Sequence, residues 1–241
     1  MDILSDRRAQ SAPSVYIVVT GTCVENVSIL RDHVTIIGGA PGATIQGPEG
    51  TAVFVTAQEA RLDNLTIRGP QNAVRVLHGH LEGSGLRLIG GISALMGSAV
   101  RLFDATAIEA APEFGIDISE ESLLAIFNCT VSGSGFDGVR VAQSTFAATQ
   151  CTISDSGWAG LRAGEGANVR LDTTMITSNE DGVAIGDSSV LRHIGGTLSI
   201  SGNRSAGIRC AAAPAVPQLL GIAASSVSGN PGGNFVSCAG H

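Results

Sequence analysis

Phe114, Phe136 and Trp158 recur at 22-residue intervals, each just ahead of a short alternating segment that carries a charged residue, Asp117, Arg140 and Arg162 in turn. Arg75 belongs to the same column nearer the N-terminus. Aromatic rings beside guanidinium and carboxylate groups suit a flat sugar chain: rings stack on its apolar face while guanidinium forks bind carboxylate or hydroxyl oxygens. The spacing therefore predicts one substrate-binding ridge built from Phe136, Trp158, Asp117, Arg140, Arg162 and Arg75, with Phe114 continuing the aromatic line. The plainer reading is an aromatic ladder beside a solvated row of charge. A second constellation, His78, His80 and Glu82, has donor types that suit a divalent metal if the segment is extended. Its competing reading is an exposed ladder of Glu59, His80 and Arg101, one residue per repeat. Cys129 and Cys151, 22 residues apart, read as small apolar members of a buried ladder.

The elements that must position these residues form a repeat. A small residue followed by an alternating apolar segment recurs from residue 52 to residue 208, with starts 21, 21, 21, 23, 22, 22 and 25 residues apart. Period-2 alternation means strand. A second column, Leu65-Thr66-Ile67 through Leu198-Ser199-Ile200, follows about a dozen residues later and alternates too. Turns of small polar residues come after it, such as Ser154-Asp155-Ser156-Gly157 and Ser201-Gly202-Asn203. Shorter apolar pieces between the columns, such as Leu124-Ala125-Ile126, complete a unit of three strands and three bends. One unit cannot bury its apolar face alone, so units stack at the ~4.8 Å spacing of paired parallel strands. The expectation is an all-β, single-stranded parallel β-helix of about ten coils of roughly 22 residues over 15–241, with Val53, Val74, Leu95, Ile116, Val139, Leu161, Val183 and Ile208 stacked inside. Residues 1–14 read as an N-terminal arm or partial cap.

Composition removes several function classes. Of 241 residues 44% are apolar, enough for a core, and the 32 glycines suit many tight turns. All 14 basic residues are arginine, and the net charge of −7 argues against a nucleic-acid partner. No run approaches the ~18 apolar residues of a membrane span, so no membrane insertion is expected. Five cysteines are too few for a disulfide scaffold at this length, although Cys210 and Cys238 could pair near the C-terminal end in an oxidising compartment.

The repeat unit Cys151-Thr152-Ile153-Ser154-Asp155-Ser156-Gly157-Trp158-Ala159-Gly160-Leu161-Arg162, and the opening from Val19-Thr20-Gly21-Thr22-Cys23 to Val34-Thr35-Ile36-Ile37-Gly38, resemble the right-handed parallel β-helix proteins of the pectate-lyase-like superfamily, in particular its short bacterial members. The resemblance implies a right-handed coil and a polysaccharide partner. Its chemistries fit less well. Related lyases imply calcium held by clustered carboxylates and an Arg or Lys base, whereas this chain has no Lys and only Asp117 as a carboxylate in the outward column. The paired-carboxylate signatures of related polygalacturonases are absent. Related epimerases imply a Tyr with a nearby His and Lys, and Tyr16 is the single tyrosine.

The reading that follows is a secreted, periplasmic or cell-surface module, its signal peptide absent from this chain, that binds a polysaccharide or surface glycan without catalysis and without a cofactor. The alternatives are a polysaccharide lyase or related carbohydrate-active enzyme with Arg140 or Arg162 as the base, for which the resemblance implies calcium as cofactor, and a structural stalk or adhesin. Unpaired strand edges at an end of the helix would also permit a homo-oligomer.

Overall fold

The computed structural model describes residues 13–186, 188–211 and 217–238. The chain forms three parallel sheets of ten strands each, and every strand pairs with the strand three places away in the sequence. The first sheet runs from Val15–Val19 to Gln218–Leu220, the second from Thr22–Val24 to Val227–Ser228, and the third from Val27–Ile29 to Phe235–Val236. Most of the arm predicted over 1–14, and most of the Ala/Pro-rich stretch between Cys210 and Gln218, lie outside the described residues.

Alternation sends one side chain in two into the lumen, where like residues stack. In the second sheet Ile45, Ile67, Leu88, Ile108, Val131, Ile153, Ile176, Ile200 and Val227 form one unbroken, fully buried file. The strands can be short because each bend is short. The bend from the first to the second sheet turns on left-handed residues, a single one at Asn64, Gly85, Asn128, Gln150 and Thr173 and two in succession at Asp104 and Ala105. Directly after it Cys129, Cys151 and Thr174 each donate to the carbonyl two residues back, at 3.2, 3.1 and 2.9 Å. The two cysteines therefore hold a corner, as the ladder reading expects.

The bend into the third sheet carries a glycine in successive coils: Gly115, Gly138, Gly160 and Gly182. A Cβ at any of them would lie 2.6–2.9 Å from the carbonyl oxygen of the corresponding glycine one coil on, so backbone stacking at that corner excludes every side chain. Beside it Asn179, Asn203 and Asn230 form a buried ladder. Each carboxamide accepts the backbone N–H one coil up, from Ser156, Asn179 and Asn203, at 3.0–3.1 Å. Cys210 and Cys238 form a disulfide in the last coil.

Two registers differ from those the sequence predicts. Ile92, not Leu95, lies between Val74 and Ile116, and Leu95 is only partly buried. Gly90 and Gly91, both at positive φ, shorten that coil to eighteen residues, so the strand starts early and Ser93 takes the outward place between Arg75 and Asp117. The ladder of Glu59, His80 and Arg101 is also displaced. Arg101 lies opposite Glu82, and His80 lies opposite Ala99.

Candidate functional site

The outward column of the third sheet reads Phe54, Arg75, Ser93, Asp117, Arg140, Arg162, Ala184 and Arg209 in consecutive coils. All four charged residues predicted for the ridge, Arg75, Asp117, Arg140 and Arg162, thus share one row at ~4.8 Å intervals. The aromatic line is altered. Ile116 pairs with Val139, a coil of 23 residues, so the 22-residue spacing from Phe114 to Phe136 falls one position short. Carried back along the strands, that register sets Phe114 opposite Asp137 and Phe136 opposite Trp158. The Phe136 N–H bonded to the Glu113 carbonyl, and the Trp158 N–H bonded to that of Phe136, agree. Phe136 and Trp158 form the exposed ridge, 50% and 49% accessible. Phe114 is set inward, its ring 6.2 Å from that of Phe136.

The arginines of the row are held in two ways. Arg162 donates Nε to Asp137 Oδ2 at 2.7 Å and Nη2 to Oδ1 at 3.3 Å, while Oδ1 also accepts the Ala159 N–H at 3.1 Å. The same clamp recurs at Arg209, whose Nε and Nη2 reach Asp181 at 2.6 and 2.9 Å while Asp181 Oδ1 accepts the Ala206 N–H. Both aspartate side chains are only 3% exposed. Burial pushes the Asp181 carboxyl up, but the hydrogen bonds from Arg209 and Ala206 outweigh it and hold it below the ordinary carboxylate range. Sequence reasoning missed both aspartates. The signal available was Asp-Gly at 137–138 and 181–182, each placed one coil above an outward arginine.

Arg140 has no such clamp. The position equivalent to Asp137 one coil up is Phe114, and the Arg140 guanidinium lies over that ring at 5.0 Å. Its Nε is 3.8 Å from Asp117 Oδ1, beyond hydrogen-bond reach. Asp117 Oδ1 and Arg75 Nε are both inaccessible and lack a hydrogen-bond partner. Burial raises the Asp117 carboxyl above its ordinary value, Arg140 draws it back, Glu113 adds to the rise, and Arg75 also lowers it. Trp158 offers only one free face, because the Arg162 guanidinium covers the other at 4.0 Å.

The second constellation comes apart in the fold. His78 sits at a left-handed bend, whereas His80 and Glu82 project from the first sheet. A depression of about 780 Å³ there gathers Tyr16, His33, Glu59, Arg61, His80, Glu82 and Arg101. It lies on another face of the prism from the aromatic ridge. His33 Nδ1 is 2.7 Å from Glu59, and Arg61 is 2.6 Å from Asp63, so most of its charge is paired internally. Among the described residues no three His, Cys, Asp or Glu side chains converge as metal ligands.

The sequence profile of the right-handed beta helix region matches residues 51–234. The chain belongs to the right-handed β-helix family. Solved structures of similar shape include an alginate lyase from Paenibacillus sp. str. FPU-7, which superposes with a TM-score of 0.59 at 11% identity over 94% of this chain and 92% of that one. The A-module of the mannuronan C-5 epimerase AlgE6 from Azotobacter vinelandii aligns at a TM-score of 0.41 and 12% identity, over 96% and 92% of the two chains. At 11% identity the likeness to the alginate lyase is one of fold. No curated protein sequence matches the chain.

Proposed function

We propose that this β-helix binds an acidic polysaccharide along its third sheet, as a secreted or surface module without catalysis. One observation carries the reading. Arg75 and Arg140 flank Asp117 in a single row, and the part-exposed Arg140, without an aspartate clamp and beyond hydrogen-bond reach of Asp117, stands beside the half-exposed rings of Phe136 and Trp158. Arg75 and Arg140 stand three coils apart, about 14 Å along the axis, a span that suits a chain better than a single sugar. In this arrangement the two arginines take carboxylates, Asp117 takes a hydroxyl, and the free face of each ring takes the apolar side of a pyranose. Arg162 shapes the site by packing on Trp158, with its fork committed to Asp137. The likeness in fold to an alginate lyase is consistent with a uronate-containing chain.

A polysaccharide lyase is the second reading, and the absence of an aspartate clamp on Arg140 favours it: if either arginine abstracts a proton, it is Arg140 and not Arg162. Binding is preferred because guanidinium groups keep their proton in proteins. The test is a panel of alginate, polygalacturonate and a neutral glucan, scored for binding and for unsaturated uronate ends, with and without calcium. The expected result is binding to the acidic chains only, weakened about tenfold by Arg140→Gln and by Phe136→Ala, without new chain ends. Unsaturated ends that vanish in Arg140→Gln would establish the lyase. Silence in both channels would leave a structural stalk.

A further inference from the structure

The outward row of the first sheet reads Tyr16, Thr35, Arg61, Glu82, Arg101, Ala125, Ala147, Arg170, Arg192 and Leu220. Its upper part alternates in sign: Glu82 stands between Arg61 and Arg101, Arg61 is paired with Asp63, and Arg101 lies 3.9 Å from Glu82. Its lower part does not alternate. Arg170 and Arg192 are direct neighbours on paired parallel strands, and both are exposed.

Like charges directly opposite each other destabilise a strand pair, and this protein elsewhere avoids the arrangement or compensates it. The other adjacent pair of arginines within the described sheets is Arg140 and Arg162. There Asp137 clamps one, while Phe114 and Asp117 attend the other. Neither Arg170 nor Arg192 has a hydrogen-bond, ion-pair or ring partner among the described residues. In a chain of net charge −7, carboxylates for pairing are plentiful, yet none is within pairing distance here. Asp172, on the same face as Arg170, accepts a hydrogen bond from Thr173 at 2.9 Å.

The surroundings suit a ligand. Ala125 and Ala147 continue the row above the pair, so no bulky side chain from that row obstructs the guanidinium groups on that side. Asn168, two residues before Arg170 on the same outward face, adds an amide donor, and Thr145 lies opposite it on the neighbouring strand. Two forked cations about 4.8 Å apart match the several acceptor oxygens and double charge of a tetrahedral oxyanion. A single carboxylate would occupy one fork and leave the other uncompensated.

We propose that Arg170 and Arg192 form a binding site for a doubly charged tetrahedral oxyanion, either a free sulfate or phosphate or a terminal phosphate monoester. The site stands on a different sheet from the glycan-binding face and does not depend on it. Both side chains are exposed, so glutamine at either position leaves the core untouched.

The test follows the Nε–Hε signals of the two arginines by NMR, and thermal unfolding, during titration with sodium sulfate, sodium phosphate and glycerol phosphate, each against sodium chloride at equal ionic strength. The expected result is saturable shifts of both arginine signals with the dianions but not with chloride. Affinity should fall by about tenfold or more in Arg170→Gln and in Arg192→Gln, and Arg192→Gln should melt above the wild type in dilute chloride because the repulsion is gone. Comparable affinity for glycerol phosphate and inorganic phosphate supports a phosphate-bearing molecule as ligand, and clearly weaker binding of the ester supports the free ion. The proposal is overturned if the dianions act no differently from chloride. It is equally overturned if sulfate stabilises wild type and both variants by the same amount, since that is the general effect of an excluded salt.

Discussion

Arg162 and Arg140 occupy neighbouring positions in one row and are held by opposite means. Arg162 is gripped by a buried carboxylate that also ties down the next coil's backbone, so its charge serves the solenoid. Arg140 rests on an aromatic ring with a carboxylate just out of reach, so its charge stays available. The difference traces to one residue, aspartate at 137 and phenylalanine at the equivalent 114. Outward charge on a β-helix is thus ambiguous until the coil above is known. An arginine under an Asp-Gly corner is part of the frame, and one under an aromatic corner is free to meet a ligand.

The comparison breaks most visibly at the clamp. Asp181→Asn should cost about 2–3 kcal/mol, since it strips the charge partner from a half-buried guanidinium and weakens the bond to the Ala206 N–H. This is measurable by denaturant unfolding at neutral pH. Because the folded-state carboxyl of Asp181 titrates below its unfolded value, the clamp's contribution is present above the ordinary carboxylate pKa and is lost as pH falls through the folded one. The gap between wild type and variant should therefore close in acid. A constant gap from neutral to acid pH would contradict the ionic clamp.

Phe114→Asp sharpens the contrast from the other side by giving Arg140 the carboxylate that Arg162 already has. Affinity for the acidic glycan should fall about tenfold in a binding titration, while Arg162→Gln lowers stability more than affinity. If Phe114→Asp binds as well as wild type, Arg140 is not a ligand group.

A smaller gain should follow from Ser156→Asn. Asn179, Asn203 and Asn230 each bond the coil above, but the Ser134 and Ser156 hydroxyls above them are buried without partners. Extending the ladder by one rung should add about 0.5–1 kcal/mol, seen as a higher melting temperature. The smallest effect belongs to Asp117→Asn, which should change neutral-pH stability by about 0.5 kcal/mol or less, and upward. Burial raises the carboxyl, so its charged form is disfavoured in the folded state. That carboxyl contributes stability below its unfolded pKa and loses it as pH rises through the folded one, the reverse of Asp181.

The architecture could be read from residue order because stacking makes every coil repeat the demands of its neighbour. The alternation at Val139-Arg140-Val141 and at Leu161-Arg162-Ala163 leaves one choice of inside and outside. Register was harder. Gly90-Gly91 shortens one coil and an extra residue lengthens the coil ending at Val139, and each change slides a column by a position or more without altering the local pattern. For that reason the spacing alone sets Leu95 inside and Phe114 on the ridge, whereas pairing gives Leu95's place to Ile92 and sets Phe114 opposite Asp137. The charged row of Arg75, Asp117, Arg140 and Arg162 holds because each of these residues lies between two buried neighbours on its strand, whereas Ile92-Ser93-Ala94-Leu95 offers two phases of alternation. The depression around Tyr16, His33 and Arg61 was invisible because its members lie far apart along the chain and share no spacing.

The Cys210–Cys238 bond gives the rod a mechanical polarity. A stack of coils with open ends unravels by peeling from a terminus, one coil at a time. Here the final coil is a covalent ring, and tension applied to the C-terminal tail runs through sulfur to Cys210 before it loads any hydrogen bond of the last turn. Under oxidising conditions unwinding should start from the N-terminal coils and travel toward the stapled end. Reduction would allow the rod to fray from both directions.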